Sequence, residues 1–351
     1  MSEPGASARA VQGGRGMHTA SPRRRRQEGR SRSAVKWFPW FLGIAILAGV
    51  VLVALHSSEQ WEFLDLVQHA RPLWIVWALL LQSLTYLSQG EVWRLITRAA
   101  GSHVGLAKAY KLALTKLFVD QAIPTAGISG TVAITKGLER AGVPRSAVAS
   151  GVVVSTTSYY TAYLMSLAVA LYVAASRGHA HMFILVVSLL FALFAVGLTW
   201  TVLSLPGRQR SKLARTLQKI PVVRKAIKVI SEAKPELAHN PKLLLGATAL
   251  QLSIILLDVA TMDCLIRSLS VTPSIPGVFA SFMLSTLLRD VGIVPGGLGI
   301  YEAASVITLK LAGIPVAAAL SASLLFRGLS FWLPMVPGIL FSRSAVRGHH
   351  K

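Results

Sequence analysis

Eight polar side chains lie beside two places where Pro and Gly interrupt apolar sequence, and a ninth, Arg327, lies in the last apolar run. They are Lys116, Asp120, Gln121, Ser129, Arg289, Asp290, Tyr301, Glu302 and Arg327. Charged groups in apolar segments are costly to bury, so their positions point to function. We predict that these residues form a substrate-binding site in which Arg289 and Arg327 neutralise a phosphate. The carboxylates of Asp120, Asp290 and Glu302 would bind an amine or carry a coupling proton.

The two interruptions, PTAGISG at 124–130 and PGGLG at 295–299, supply backbone groups to this site. Free amides at the start of a helix attract anions, and glycine allows close approach to the backbone. The same glycines could make tight turns between half-helices, and the two interpretations are compatible. The expected break residues are Pro124, Gly127, Gly130, Pro295, Gly296, Gly297 and Gly299.

The charged residues of the second interruption should be paired. Arg289 and Asp290 are adjacent, so on a helix they point about 100° apart, and we expect each to have a separate partner. Arg327 should approach Glu302 or Asp290 as a buried ion pair, because buried charges are normally paired. Such a pair could be structural or functional, and the sequence leaves both roles open.

Motifs of soluble enzymes are missing from the sequence. It has no GxxxxGK[ST] phosphate loop, no HExxH or other His and Cys metal spacing, and no GxSxG nucleophile motif. Cys264 is the only cysteine, which excludes intrachain disulfides and cysteine metal clusters. We therefore predict no metal, no cofactor and no enzymatic activity.

The elements that position these residues are membrane helices. Of 351 residues, 53% are hydrophobic and only 14% are charged, a composition typical of integral membrane proteins. Six apolar runs are long enough to cross a bilayer as helices. They lie near 38–55, 72–90, 147–175, 182–205, 243–266 and 316–341.

The net charge of +22 is concentrated beside these runs. Residues 1–36 hold nine Lys or Arg, and the loop 206–242 holds ten. The positive-inside bias places both segments in the cytoplasm, near anionic lipid headgroups of the inner membrane face. No aromatic-interleaved basic fold accompanies the charge, so nucleic-acid binding is not expected. We predict a multi-pass protein of the cell membrane with both termini in the cytoplasm.

Residues 106–150 and 277–321 resemble each other at a spacing of 171 positions. The matched residues include Pro124, Gly142 and Pro144 in the first copy and Pro295, Gly313 and Pro315 in the second. Charge bias makes the first copy enter the membrane from the cytoplasmic face and the second from the outer face. Inverted repeats with broken helices are typical of secondary transporters, and broken helices at membrane depth imply a cavity.

The predicted fold class is all-α, a polytopic membrane helix bundle. It would contain about six full spans and two re-entrant hairpins in an inverted-topology repeat, with eight full spans as the alternative. A single transmembrane domain would cover 37–341, with repeat 1 at about 38–175 and repeat 2 at about 182–341. The segment 1–36 would be a disordered cytoplasmic tail, and 342–351 a second cytoplasmic tail.

Four sequence elements carry a family resemblance: VPGGLGIYEAA, LKLAGIP, IPTAGISG and GLERAGVP. Together they resemble the transmembrane domain of lysylphosphatidylglycerol synthase and its stand-alone, flippase-like relatives, over roughly 38–341. The resemblance carries over Pro295, Gly296, Gly297, Gly299 and Glu302 as site residues. It departs from the family at Thr131, where the first hairpin has ISGT instead of a Gly-Glu pair followed by Arg.

The resemblance implies translocation of an anionic or aminoacylated phospholipid, or of a lipid-linked molecule, across the membrane. The synthase's catalytic domain is not expected within this chain. Three alternatives remain open: a membrane-embedded lipid headgroup transferase, an ion-coupled small-solute transporter, and a non-catalytic partner of a lipid-modifying enzyme. A homo-oligomer is also compatible with the sequence.

Overall fold

The computed structural model describes residues 70–122, 128–178, 182–206, 227, 229–291 and 294–338. The regular elements of these residues are all helical, which confirms the all-α prediction. Several predicted features lie outside the described residues: the first span at 38–55, the break residues Pro124 and Gly127, and most of the basic loop 206–242.

The helices are α1 (Pro72–Ala99), α2 (Leu106–Ala122), α3 (Ile128–Arg140), α4 (Arg145–Ser176), α5 (Met182–Ser204), α6 (Pro235–Ala238), α7 (Pro241–Ser268), α8 (Ile275–Val291), α9 (Ile300–Leu311) and α10 (Val316–Arg327). A 3-10 turn, Pro295–Gly297, lies between α8 and α9. Beyond α10 the chain continues as a π-helical turn, Gly328–Trp332, and stays helical to Gly338.

Four of the described segments are long and apolar enough to cross a membrane. They are α4, α5, α7 and the last helix, Val316–Gly338, and they coincide with four predicted spans. The predicted span 72–90 lies within α1, which has 28 residues and is about 42 Å long. Gln82 and Gln89 make α1 less apolar than the other four.

The outer surface of the bundle carries large apolar side chains. Each of the following is more than half exposed: Leu73, Trp77, Phe183, Leu189, Leu190, Leu193, Phe194 and Trp200. Contiguous exposed apolar surface of this kind marks contact with a membrane or another protein. It agrees with a bundle whose surroundings are lipid.

Each interrupted segment folds back on itself as a hairpin. In the first hairpin Leu112 of α2 packs on Gly137 of α3. In the second, the Ser281 hydroxyl of α8 donates to the Thr308 carbonyl of α9 at 2.9 Å. The arms have 17 and 13 residues in the first hairpin and 17 and 12 in the second, fewer than the roughly 20 that a full span needs. Both segments therefore have the short, folded-back arms that the prediction of re-entrant hairpins requires.

Helix α4 shows that the two hairpins are inverted. Its first residue, Arg145, follows directly on the base of the first hairpin. Just beyond its other end, Nη2 of Arg177 donates to the Ser274 hydroxyl, next to the base of the second hairpin, at 2.6 Å. Because α4 has 32 residues and is about 48 Å long, the two bases lie at opposite ends of the bundle.

The helix bounds repeat the same pattern twice. Helices α1 and α7 each have 28 residues and begin with a proline, Pro72 and Pro241, 169 positions apart. A spacing of 171 would instead pair Pro72 with Leu243, two residues after the start of α7. The second copy is two residues longer around its break, so the spacing becomes 171 only from there on. Helices α1 and α7 pack against each other and join the two repeats.

Candidate functional site

The turn of the second hairpin requires its glycines. Gly296, Gly297 and Gly299 have φ values of 59°, 63° and 79°, in the left-handed region that favours glycine. A Cβ on Gly297 would overlap the side chain of Arg289, and one on Gly296 would overlap the ring of Phe331. The glycines therefore form the tight turn and also let two large side chains pack directly on its backbone.

Glu302 and Arg327 form a buried ion pair beside this turn. Nε of Arg327 donates to Oε1 of Glu302 at 2.9 Å, and the side chains are only 6% and 2% exposed. Arg327 also donates to the Gly296 carbonyl at 2.7 Å, and the Gly299 amide donates to Oε2 of Glu302 at 2.7 Å. The guanidinium lies 4.4 Å from the ring centroid of Phe331, a cation–π contact. Of the two predicted partners of Arg327, Glu302 is the one it contacts.

Arg289 and Asp290 pair with each other at the end of α8. Nε of Arg289 donates to Oδ1 of Asp290 at 2.9 Å, and the Tyr159 hydroxyl of α4 donates to Oδ2 at 3.2 Å. The expectation that Arg289 and Asp290 would have separate partners was wrong for this pair, because a long arginine side chain at the end of a helix can bend back to its neighbour. Their side chains are 30% and 23% exposed, so this pair is more accessible than Glu302–Arg327.

The first hairpin is closed by Asp120. Its Oδ2 accepts from Nζ of Lys116 at 2.7 Å, and its Oδ1 accepts from the Gly130 amide in the first turn of α3 at 2.8 Å. A Cβ on Gly130 would overlap this carboxylate, so the close approach requires glycine. The Ser129 hydroxyl also bridges the hairpin by donating to the Val119 carbonyl at 3.4 Å.

The two hairpins share one arrangement built from different positions. In each, a carboxylate binds an amide at the start of the second arm and pairs with a cation. Glu302 does this from within the second arm, whereas Asp120 reaches across from the first arm. Thr131 is the counterpart of Glu302 at a spacing of 171, so Asp120 supplies the acid that Thr131 lacks.

The tips of both hairpins contact the last helix. Nε2 of Gln121 donates to the Ser330 carbonyl of the π-helical turn at 3.3 Å, and Phe118 packs on Gly338. Helix α2 also contacts the Pro295–Gly297 turn. Within the described residues, all the predicted site residues thus lie at or near the hairpin tips and the part of the last helix between them.

The sequence model of a family described as the lysylphosphatidylglycerol synthase TM region matches residues 40–338. The match covers most of the chain and includes both hairpins. The chain belongs to this family. A search of curated proteins gives no match.

Membership of the lysylphosphatidylglycerol synthase TM region family confirms the resemblance seen in the sequence, with bounds of 40–338 instead of 38–341. Together with the apolar helices it shows a multi-pass membrane protein of the lysylphosphatidylglycerol synthase or flippase type. All nine candidate side chains fall inside the matched region. Their roles stay predictions.

Four polar residues near the site were not among the residues predicted from the sequence. Tyr159 and Tyr163 of α4 lie near Asp290, whereas Gln82 and Tyr86 of α1 contact Asp258 and Leu329. The Tyr86 hydroxyl donates to the Leu329 carbonyl at 2.5 Å, another contact with the π-helical turn. Their signal in the sequence was polar or hydroxyl-bearing side chains at a spacing of four within apolar runs.

The predicted residue Tyr301 has a mainly structural setting. It is fully buried, and its ring stacks on Phe326 with centroids 5.8 Å apart. Its hydroxyl has no hydrogen-bond partner among the described residues. Among the residues that the structure describes, no group of three or more His, Cys, Asp or Glu side chains is placed to hold a metal ion.

Proposed function

We propose that this protein is a translocase that moves an anionic or aminoacylated phospholipid, or a related lipid-linked molecule, across the membrane. The observation that carries the proposal is the Arg289–Asp290 pair, partly exposed at the tip of a re-entrant hairpin. A cation and a carboxylate at membrane depth can receive the phosphate and the amine of one headgroup. Family membership supports the same class of function.

The headgroup would exchange partners with the residues at the tip. Its phosphate would take the place of Asp290 on the Arg289 guanidinium, and an amine would bind the released carboxylate. The Tyr159 hydroxyl, which donates to Asp290, could then donate to a phosphate oxygen. The acyl chains would stay in lipid, since the apolar outer helix faces offer them a continuous surface.

The other charged residues would support this exchange. Glu302 and Arg327 are almost fully buried, so we assign them the role of holding the turn beneath Arg289. Lys116 and Asp120 are 25% and 18% exposed and would form the corresponding station on the first hairpin. The headgroup would pass between the two stations as access changes from one membrane face to the other.

The orientation and partners belong to the same proposal. Both termini and the loop 206–242 would lie in the cytoplasm, where their basic residues contact anionic headgroups. The chain would act without enzymatic activity of its own, alone, as a homo-oligomer or beside a lipid-modifying enzyme.

The test is transbilayer movement of a labelled aminoacylated phospholipid, and of its unmodified anionic parent, in liposomes containing the purified protein. Arg289→Ala and Glu302→Gln should slow movement about tenfold or more, since a hydrogen bond to a charged group contributes about 1.5–3 kcal/mol. Lys310→Ala, which removes an exposed cation at the base of α9, is the matched control and should keep the wild-type rate. Equal rates in all four proteins, or a wild-type rate no faster than empty liposomes, would overturn the proposal.

A further inference from the structure

Asp258 of α7 differs from the other carboxylates near the hairpin tips. The three carboxylates of the candidate site and Asp263 each contact a cation: Asp120 with Lys116 at 2.7 Å, Asp263 with Arg267 at 2.6 Å, Asp290 with Arg289 at 2.9 Å and Glu302 with Arg327 at 2.9 Å. Among the described residues Asp258 has no such partner within 4.0 Å. It lies well inside a helix that can span the membrane.

Two polar side chains of α1, the buried amide of Gln82 and the hydroxyl of Thr85, face the carboxyl group of Asp258. Nε2 of Gln82, on α1, donates to Oδ1 of Asp258 at 3.3 Å. Gln82 is 2% exposed, and its other polar atom, Oε1, is buried without a hydrogen-bond partner among the described residues. Leaving a buried acceptor unpaired is unfavourable, so this site lacks one donor.

The charged and titratable groups around Asp258 do not supply that donor. Tyr86 faces it from α1, Arg289 from α8 and Tyr301 from α9. The Tyr86 hydroxyl already donates its hydrogen bond to the Leu329 carbonyl, and Arg289 is paired with Asp290. Within the part of the chain that the structure describes, Asp258 is therefore a carboxyl group in a membrane-spanning candidate helix without a counter-ion of its own.

A proton would satisfy both groups at once. Protonated Asp258 has an O–H that can donate to Oε1 of Gln82, while Nε2 of Gln82 continues to donate to the carboxyl. Ionised Asp258 can only accept, which leaves Oε1 unpaired and an uncompensated charge in an apolar setting. The protonated acid can therefore satisfy the amide oxygen, which the ionised carboxylate cannot.

We propose that Asp258 is the proton-binding residue that couples lipid movement to a transmembrane proton gradient. The inference rests on the proposed function for its coupling, but not for proton binding itself. Loading forms the O–H bond of Asp258 from an aqueous proton on one side of the membrane, and release returns the proton to water on the other. The acid is present in only one repeat, because the residue 169 positions earlier is Gln89. One proton would therefore move per transport cycle.

Infrared difference spectroscopy, in which each variant is compared with the wild type, tests proton binding by the reconstituted protein without a measurement of lipid movement. At neutral pH the wild type should show the C=O stretch of a protonated carboxyl, and Asp258→Asn should lose it. Asp263→Asn, on the same helix but paired with Arg267, should keep it. Gln82→Leu retains the carboxyl but removes its partner, so the band should remain and shift to higher frequency. A band that survives in Asp258→Asn, or that Gln82→Leu leaves unmoved, overturns the proposal.

Lipid movement under an imposed proton gradient tests the coupling. The gradient should accelerate the wild type and Asp263→Asn, whereas Asp258→Asn should move lipid at one rate with or without it. A wild-type rate that ignores the gradient, or an Asp258→Asn rate that still follows it, overturns the coupling. If the wild type moves no lipid at all, the proposed function fails, while the infrared bands still decide whether Asp258 binds the proton.

Discussion

At the scale of residues, the Glu302–Arg327 pair holds three elements at one point. Arg327 of α10 binds both Glu302 of α9 and the carbonyl of Gly296 in the turn. Its guanidinium also lies over the rings of Tyr301 and Phe331. Replacing one member leaves the other charged, buried and unpaired, which is more unfavourable than removing both.

Arg327→Met should therefore lower the free energy of unfolding in detergent by about 3–5 kcal/mol. The double variant Arg327→Met with Glu302→Gln should recover part of that loss. As a control, Arg98→Met breaks a pair whose side chains are 47% and 30% exposed, and exposed pairs contribute about 0–1 kcal/mol. Equal losses for Arg327→Met and Arg98→Met would show that the buried pair has no special weight.

At the scale of elements, the hairpin turns place side chains by bringing backbone close to them. Asp120 lies against Gly130, and Arg289 lies against Gly297, at distances that leave no room for a Cβ. The same backbone conformation occurs at the base of the second hairpin, where Gly313 has a φ of 90° and open space around it. Comparing substitutions at Gly297 and Gly313 therefore distinguishes the effect of backbone strain from the effect of displacing Arg289.

Gly297→Ala should abolish most lipid movement, while Gly313→Ala should keep it. In both variants an alanine must adopt a left-handed backbone conformation, which costs about 1–2 kcal/mol. This backbone penalty should lower the free energy of unfolding by a similar amount in both. Only Gly297→Ala also pushes Arg289 out of place. The measurement is the rate of lipid movement, normalised to folded protein in the liposomes; an equal loss in both variants would contradict the role given to Arg289.

At the scale of the whole molecule, two hairpins enter from opposite ends of one bundle. The contact of Arg177 with Ser274 puts the base of the second hairpin at the far end of α4 from the first. Their tips converge on the last helix, where a π-helical turn presents the carbonyls of Leu329 and Ser330 to Tyr86 and Gln121. Under the proposed function, this arrangement would let access to the site alternate between the membrane faces without a change in helix order.

Single cysteines at the hairpin bases should be accessible from opposite sides of the membrane. Cys264 is first replaced by Ala, and then Glu139→Cys and Lys310→Cys are made separately; both positions are exposed. An impermeant thiol reagent should label one variant in right-side-out vesicles and the other in inside-out vesicles. Labelling of both from the same side would contradict the inverted arrangement.

The sequence by itself determined the membrane class, the helical fold and the positions of both breaks, and it predicted the side chains that the fold gathers near the hairpin tips. These features follow from local properties: apolar run length, charge bias, and the restricted backbone of Pro and Gly. The register of the repeat was also readable, apart from the two extra residues in the second copy.

Only the tertiary structure decided which charges meet. It shows that Arg327 pairs with Glu302 and that Arg289 pairs with Asp290. It also shows that Asp120 supplies the acid of the first hairpin, where the position equivalent to Glu302 is Thr131. The fold also brings Asp258 within hydrogen-bond distance of Gln82, which is 176 positions away in the sequence. Such partners depend on how helices distant in sequence cross and on how far each side chain reaches, which spacing along the chain does not encode.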